Sequence, residues 1–570
     1  MKTRNILIIS ILFCWLNSNS QNIIYTEMLG RPTNSGISIN AIFDSVVQVR
    51  VSYGLSQGSF PNHTTWQLVN PDTTGEAVAV VNITNLTSST KYFYKFQYRK
   101  PGDTVTINRP LHSFTTARMP GDTFTFVIQA DPHLDASSDT ALYSLCLQNQ
   151  LEDNPDFMID LGDNFMTDKL KNSSQIVPED TIPYRCKLLR SYYQKVNHSV
   201  PLFLVLGNHE GEAGWYNNGT ANNMAVWDTK YRKKYYTNPI PDSFYSGDTT
   251  NYNFIGQREA YYSWTWGEAL FVVLDPFWNT TPKPDSLHGW RWTLGKPQYD
   301  WLKTTLENST AKFKFVFIHN LVGANAEARG GMEKAPYYEW GGMNIDSTNG
   351  WATNRPGWYK PIKDLLTENR VTAMFHGHDH FFGKQELDCL LYQECPQPNL
   401  PNFTNPQQAA TYGYNNGIIL PNAGHLRVSV APSGVTVDYV RAVRPTQVTA
   451  TLHNKDISET YFVGVVNCYD SLLTGVNNAS NSNYNIITVY PNPSSNSMVI
   501  QTETIKNYDR QFNLINSIGE VVISGEIKSG NTSATVNVSS IASGFYFVKV
   551  YDGNNSCAFK ITISKNQESR

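Results

Sequence analysis

Five short apolar runs in the middle of this chain all stop on the same kind of residue. They are "FTFVIQADPH", "FMIDLGDN", "PLFLVLGNHE", "KFKFVFIHN" and "VTAMFHGHDH", each passing from strand-forming residues directly into Asp, Asn, His or Gly. Apolar runs of about four to eight residues bounded by turn residues read as strands buried on both faces. Helix-like stretches, "DTALYSLCLQNQLEDN" and "KPQYDWLKTTLEN", lie between some of them. Strands alternating with helices imply a layered α/β domain, and such folds place ligands at the polar ends of their strands.

The residues at those ends are Asp131 and His133, Asp163, Asn208 and His209, His319, and His378 and His380. Turns favour Asp and Asn, but turns have no need of histidine at several separate strand ends. Carboxylate and imidazole groups held rigid above apolar strands are what a pair of catalytic ions requires. One carboxylate is shared, and ions roughly 3.5–4 Å apart clamp the attacking and leaving oxygens of an in-line displacement. A mixed imidazole and carboxylate set suits Fe, Mn or Zn better than Mg or Ca.

The flanking segments read differently. Residues 1–20 place Lys2 and Arg4 before the apolar run Ile6–Leu16 and then small polar residues, the order of a secretory signal peptide. No later stretch reaches the roughly 20 apolar residues of a membrane span, so no transmembrane segment is expected in the mature chain. Residues 23–118 alternate in "VVQVRVSYG" and "KYFYKFQYR", predicting a β-sandwich. Residues 471–487 are Asn/Ser-rich linker, and 488–566 read as a small C-terminal β-sandwich. The formal net charge of −3 gives no electrostatic reason for nucleic-acid binding, beyond a nucleotide as a substrate. Beyond Cys14, which falls in the signal segment, six cysteines permit disulfides. Cys389 and Cys395 flank what reads as a short loop and are the first pair to test.

Taken in order, DPH, GDN, GNHE, the lone strand-end His319 and GHDH resemble the motif set of the calcineurin-like metallophosphoesterases. The stretch "LTSSTKYFYKFQYR" to "SFTTA" resembles the fibronectin type III-like module that precedes the catalytic domain of purple acid phosphatases. "YPNP", the central "GE-V" and "GFYFVKV" resemble the C-terminal sorting domain of type IX secretion. The resemblance implies a multidomain architecture with a central four-layer β-sandwich flanked by helices over residues 122–465. It implies two metal ions, the first held by Asp131, His133 and His380, the second by Asn208, His319 and His378, with Asp163 bridging. His209 would hydrogen-bond the phosphoryl group and could protonate the leaving group, the nucleophile being a metal-bridging hydroxide. The implied product is a secreted or cell-surface phosphomonoesterase, passed through the periplasm and across the outer membrane by the type IX machinery. A phosphodiesterase or nucleotidase using the same site is one rival. A non-catalytic surface binding protein on this scaffold is another, against which the intact ligand set weighs.

The chain departs from purple acid phosphatases at Met166, where they carry tyrosine, and at His133, where they carry glycine. No tyrosinate-to-iron colour is therefore expected. Asn164, Glu210 and Asn320 are expected to orient ligands, and Asp135 to sit in a loop. His376 is left as a second-layer or structural residue, and Asp379 is expected to alternate outward. His378 and His380 are expected to lie two apart on an extended segment. His63, His112, His198, His288, His425 and His453 read as surface or structural. "KYRKKYY" reads as a solvated basic face rather than a phosphate-attracting patch. The Trp- and Gly-rich inserts with Trp215, Trp227, Arg329, Trp340 and Trp351 either overhang the site or form a core of their own.

Overall fold

The computed structural model describes residues 22–323, 328–406, 408–464, 487–492, 494–502, 505–516, 520–552 and 555–565. The signal segment 1–20 and the linker up to residue 486 lie outside the described residues. Among the described residues no helix is long and apolar enough to cross a membrane. The chain divides after Val465 into two compact units.

The first unit opens with a β-sandwich. One sheet pairs Ile23–Gly30, Ile37–Phe43 and Ala77–Ile83, and the other is built on Val47–Gly54, Lys91–Arg99 and Ile107–Thr115. Along Lys91–Arg99 the period of two is strict, with Tyr92, Tyr94, Phe96 and Tyr98 facing the core.

The central part packs a six-stranded sheet on an eight-stranded one. In the first sheet Phe124–Gln129, Phe157–Asp160 and Leu202–Leu204 run parallel, and the hairpin Gly424–Ala431/Gly434–Arg441 extends it antiparallel. In the second, Ala269–Val273, Phe313–Phe317 and Ala373–His376 run parallel. Alternate residues split between two faces. Phe126, Ile159, Phe271 and Phe317 meet in the core between the sheets. Val127 and Met158 lie under the helices Thr140–Glu152 and Ile182–Tyr193, while Val272, Val316 and Met374 lie under Lys296–Glu307 and Ile362–Glu368. This gives four layers. Because both central triplets are parallel, their carboxyl ends lie along one edge, and the loops leaving them converge.

The sandwich is tied to this body by buried charge. Arg190 is fully buried and donates to the carbonyls of Thr26 (3.1 Å), Asn40 (3.0 Å) and Tyr235. Lys234 pairs with Asp72 and Glu76 of the sandwich, both at 2.9 Å, and Lys187 reaches Glu76 at 3.0 Å. "KYRKKYY" is therefore not a solvated basic face: Arg232 is buried against Glu212, and Lys233 and Lys234 are ion-paired. The helix Met224–Tyr235 buries that side because it packs on the sandwich, where Tyr235 also donates to Glu76 at 2.7 Å.

The second unit pairs a three-stranded sheet (Ile487–Tyr490, Ser497–Thr502, Ser533–Asn537) with a four-stranded one (Arg510–Asn516, Val521–Ile527, Gly544–Asp552, Asn555–Ile563). Met498, Ile500, Leu514, Val548 and Ile561 form its core.

Cys389 and Cys395 do not pair: Cys395 is a free, buried thiol, whereas Cys389 is disulfide-bonded. The segment between them is the strand Leu390–Glu394 rather than a loop. Six steps of about 3.3 Å hold the two residues roughly 20 Å apart, far beyond the 4.4–6.8 Å Cα separation of a disulfide.

Replacing Arg190 by methionine removes the guanidinium donor from the carbonyls of Thr26, Asn40 and Tyr235. At about 1 kcal/mol or more for each lost hydrogen bond, stability should fall by about 3 kcal/mol, read as a lower midpoint in urea unfolding. An unchanged midpoint would show that the clamp is not what joins the sandwich to the sheets.

Candidate metal centre

The strand ends bring all seven candidate ligands to one point. Asp131 follows Phe124–Gln129, Asp163 follows Phe157–Asp160, and Asn208 follows Leu202–Leu204. His319 and His378 leave Phe313–Phe317 and Ala373–His376 on the opposing sheet. Asp131, His133, Asp163, His378 and His380 all have positive φ, between 46° and 80°. A left-handed conformation costs a non-glycine residue of order 1–3 kcal/mol, and such residues cluster where geometry serves function. The GHDH segment is thus not extended. It turns at His378 and His380, and this turn sends the two rings to different centres. Gly162 (φ 102°) is needed for close approach, since a Cβ there would lie 2.4 Å from the Gly207 nitrogen.

His133 Nε2 lies 3.7 Å from Asp131 Oδ1 and 3.4 Å from Asp163 Oδ2, and His380 Nε2 lies 3.4 Å from Asp131 Oδ1. These buried atoms, Asp131 Oδ1, His133 Nε2 and His380 Nε2, carry no hydrogen bond. On the other side, His319 Nε2 is 3.4 Å from Asp163 Oδ2, 3.1 Å from Asn208 Oδ1 and 3.2 Å from His378 Nδ1. The His319 ring places Nδ1 2.8 Å from the Leu161 carbonyl, which fixes the proton there and leaves the Nε2 lone pair aimed inward. Ligand atoms of Asp131, His133, Asp163 and His380 lie within 4.8 Å of one another, as do those of Asp163, His319 and His378. Buried lone pairs converging on two points without donors fit cations, and Asp163 belongs to both groups.

Residues 124–382 match the family model for calcineurin-like phosphoesterases, and residues 488–564 match that for the secretion system C-terminal sorting domain. The central domain is a calcineurin-like phosphoesterase. Its fold is shared with the solved structure of PhoD, at TM-score 0.55 and 16% identity, covering 77% of this chain and 91% of that one. It is also shared with the purple acid phosphatase PPD1 from yellow lupin (Lupinus luteus) seeds, at TM-score 0.51 and 12% identity, covering 77% and 74%. No curated protein matches the sequence. The chain is a metal-dependent phosphoester hydrolase with a sorting domain at its C-terminal end.

The electrostatics of the phosphoesterase centre call for positive charge. Burial opposes ionisation of Asp131, yet His380, His133 and His319 hold it below the ordinary carboxylate range. His133, penalised by burial but facing Asp131 and Asp163, is pushed up to about 10, and His319 to about 9. Burial lowers His380. Around the centre, burial and then Asp163 raise the Glu210 carboxyl to about 7.

Several buried side chains fix the loops. Glu210 accepts the amides of Asp163 (3.1 Å), Phe165 (3.1 Å), Asn164 and Gly207, stapling GDN to GNHE. Asn164 Oδ1 accepts from Tyr193 at 2.8 Å, whereas Asn320 donates to the Leu321 carbonyl. Arg185 donates to the carbonyls of His133, Leu134 (3.1 Å) and Phe165 (2.6 Å), clamping the DPH and GDN loops together. Glu394 accepts the amides of Asp379 (3.0 Å) and His380 (3.1 Å) and meets His376 Nδ1 at 2.8 Å. His376 is thus structural, and its burial lowers it to about 3. Asp379 points away from the centre but not into solvent. It is buried against Tyr414 (2.7 Å), the Gly330 amide (2.9 Å) and Arg329 (3.3 Å). His209 Nδ1 lies 2.7 Å from Asp168 Oδ1, with Nε2 3.9 Å from Asp163 Oδ2.

Arg185, Asp168 and Glu394 escape sequence reading because no motif contains them. Of the three, Asp168 alone left a signal, as a second acid five residues after Asp163. Asp135 is exposed in its loop, 3.9 Å from His133 Nδ1. The inserts extend the core beneath the helices of the eight-stranded sheet rather than forming one of their own: Trp340 is fully buried there beside Val272, Val316 and Met374, Trp215 packs on Trp292, and Trp351 packs on Trp290 and Trp358. From them Arg329 alone of the named residues reaches the centre, through the His378 carbonyl. The six remaining histidines belong to neither ligand group.

Arg185→Met should weaken metal binding about 10- to 100-fold, the usual effect of removing a group that orients ligands. Calorimetric titration of the metal-stripped protein measures this, and unaltered affinity would remove Arg185 from the scheme.

Proposed function

We propose that this chain is an exported, dinuclear metal-dependent phosphomonoesterase. The observation that carries the reading is the membership of Asp163 in both ligand groups. Asp131, His133, His380 and Asp163 would hold one ion, and Asn208, His319, His378 and Asp163 the other. Iron, manganese or zinc suits this donor set. When bound, such a pair supplies Lewis acidity toward phosphoryl oxygens and brings the acidity of water into the physiological range.

The chain's own residues do the rest. The Asp168 carboxylate orients His209 through Nδ1, leaving Nε2 to face the phosphoryl group beside Asp163. In hydrolysis the oxygen of water joins phosphorus, the P–O ester bond breaks, and the alcohol leaves with a proton. His209 Nε2 is the group positioned to deliver that proton. Met166 stands buried where purple acid phosphatases carry tyrosine, so no phenolate joins the set. The sorting domain supports export across the outer membrane through type IX secretion, to the cell surface or the medium.

Purified protein should contain about two ions per chain by elemental analysis. Asp163→Ala should lose p-nitrophenyl phosphate hydrolysis while keeping its circular dichroism spectrum; full activity in that variant would sink the reading. A panel of mono- and diesters tests the monoesterase assignment, and faster turnover of bis-p-nitrophenyl phosphate would overturn it. Asp168→Asn should lower kcat about 10- to 100-fold with little change in KM, the mark of lost proton-transfer positioning. A loss confined to KM would instead assign Asp168 to substrate binding.

A further inference from the structure

A cavity beside His380 has a volume of about 320 Å³, near the lower end of the roughly 300–1,000 Å³ of small-molecule sites. It shares His380 with the candidate centre, and its other walls include Leu400, Asn402, Asn405, Gln408 and Asn422. A second cavity, lined by Pro120, Thr265 and Lys312, shares no residue with the centre. The organic part of a phosphoester held at the centre therefore has an adjoining space on the His380 side.

The chemistry of that space is distinctive. Among the described residues no lysine or arginine lines it. Its one carboxylate, Asp379, is spent on Tyr414, Arg329 and the Gly330 amide. Apart from the imidazole of His380, which belongs to the candidate centre, its aromatic ring is Phe381, buried edge-on against Tyr414 with centroids 4.8 Å apart. What remains, beside the apolar Leu400 and Pro406, is amide. Asn422 is committed to the His380 carbonyl and the Gln397 amide, and Asn402 to the backbone of Asn405. Gln408 Oε1 accepts from Tyr412 at 2.7 Å, which leaves its Nε2 uncommitted. The side-chain amide of Asn405 is exposed at the rim.

We propose, resting on the phosphomonoesterase reading, that this cavity receives the alcohol portion of the substrate and selects a neutral, hydroxyl-rich group. The substrate class is then a sugar or polyol monophosphate. A second phosphate would give up its water with no cation to meet it. A nucleobase would find no exposed ring to stack on other than the His380 imidazole, which the centre already uses. Hydroxyls exchange water for amide partners at little cost and gain a fixed orientation.

The test compares kcat/KM for glucose 6-phosphate, fructose 1,6-bisphosphate, adenosine monophosphate and p-nitrophenyl phosphate on the metal-loaded enzyme. Glucose 6-phosphate should exceed both the bisphosphate and the nucleotide by on the order of tenfold or more. Filling the rim with Asn405→Trp should reduce the ratio of glucose 6-phosphate to p-nitrophenyl phosphate by about tenfold, and Asn405→Lys should shift preference toward the bisphosphate. A nucleotide or bisphosphate preference in the native enzyme overturns this inference alone, as does a ratio that Asn405→Trp leaves unmoved. No turnover of any monoester overturns the phosphomonoesterase reading and this inference with it.

Discussion

The Asp163 carboxylate is the point on which the rest of this structure turns. One oxygen accepts the His209 amide at 2.9 Å, and the other faces His133 and His319 at 3.4 Å each. His133 comes from the six-stranded sheet and His319 from the eight-stranded one, so this group stands where the two sheets meet. Glu210, Arg185 and Gly162 act on the loop that carries it, and the left-handed backbone at Asp163 aims it. A fully buried carboxylate is tolerable only because imidazoles, and the cations they fit, surround it.

Much of this was legible in the sequence because it depends on local pattern. Apolar runs ending in Asp, Asn or His are visible wherever parallel strands are buried on both faces, and the ligand residues sit at fixed offsets from those ends. The helix Thr140–Glu152 was visible too, with Asp139 capping the Leu142 amide at 3.0 Å. Backbone conformation was less visible. Period-two reasoning put His378 and His380 on one extended face, and only the positive φ values show the turn that separates them.

What stayed hidden depends on long-range partners. Arg185 sits on a helix 20 to 52 residues from the carbonyls it binds, and Glu394 belongs to a strand that pairs parallel with Ala373–His376. Nothing in their own neighbourhoods marks them. The Lys230–Tyr236 stretch misleads for the same reason. Basic residues on a helix look solvated until Glu212, Glu259, Asp72 and Glu76 are placed around them.

The Arg190 clamp has a consequence for how this chain can be cut. Its three acceptors come from two strands of the sandwich and one helix of the central body. A central domain produced without the sandwich would keep the guanidinium but lose the Thr26 and Asn40 carbonyls, and would bare the face that Lys187 and Lys234 now share with Glu76. The sandwich is therefore not a detachable accessory: cutting the chain before residue 122 would expose the buried polar groups of the helix that also carries Arg185.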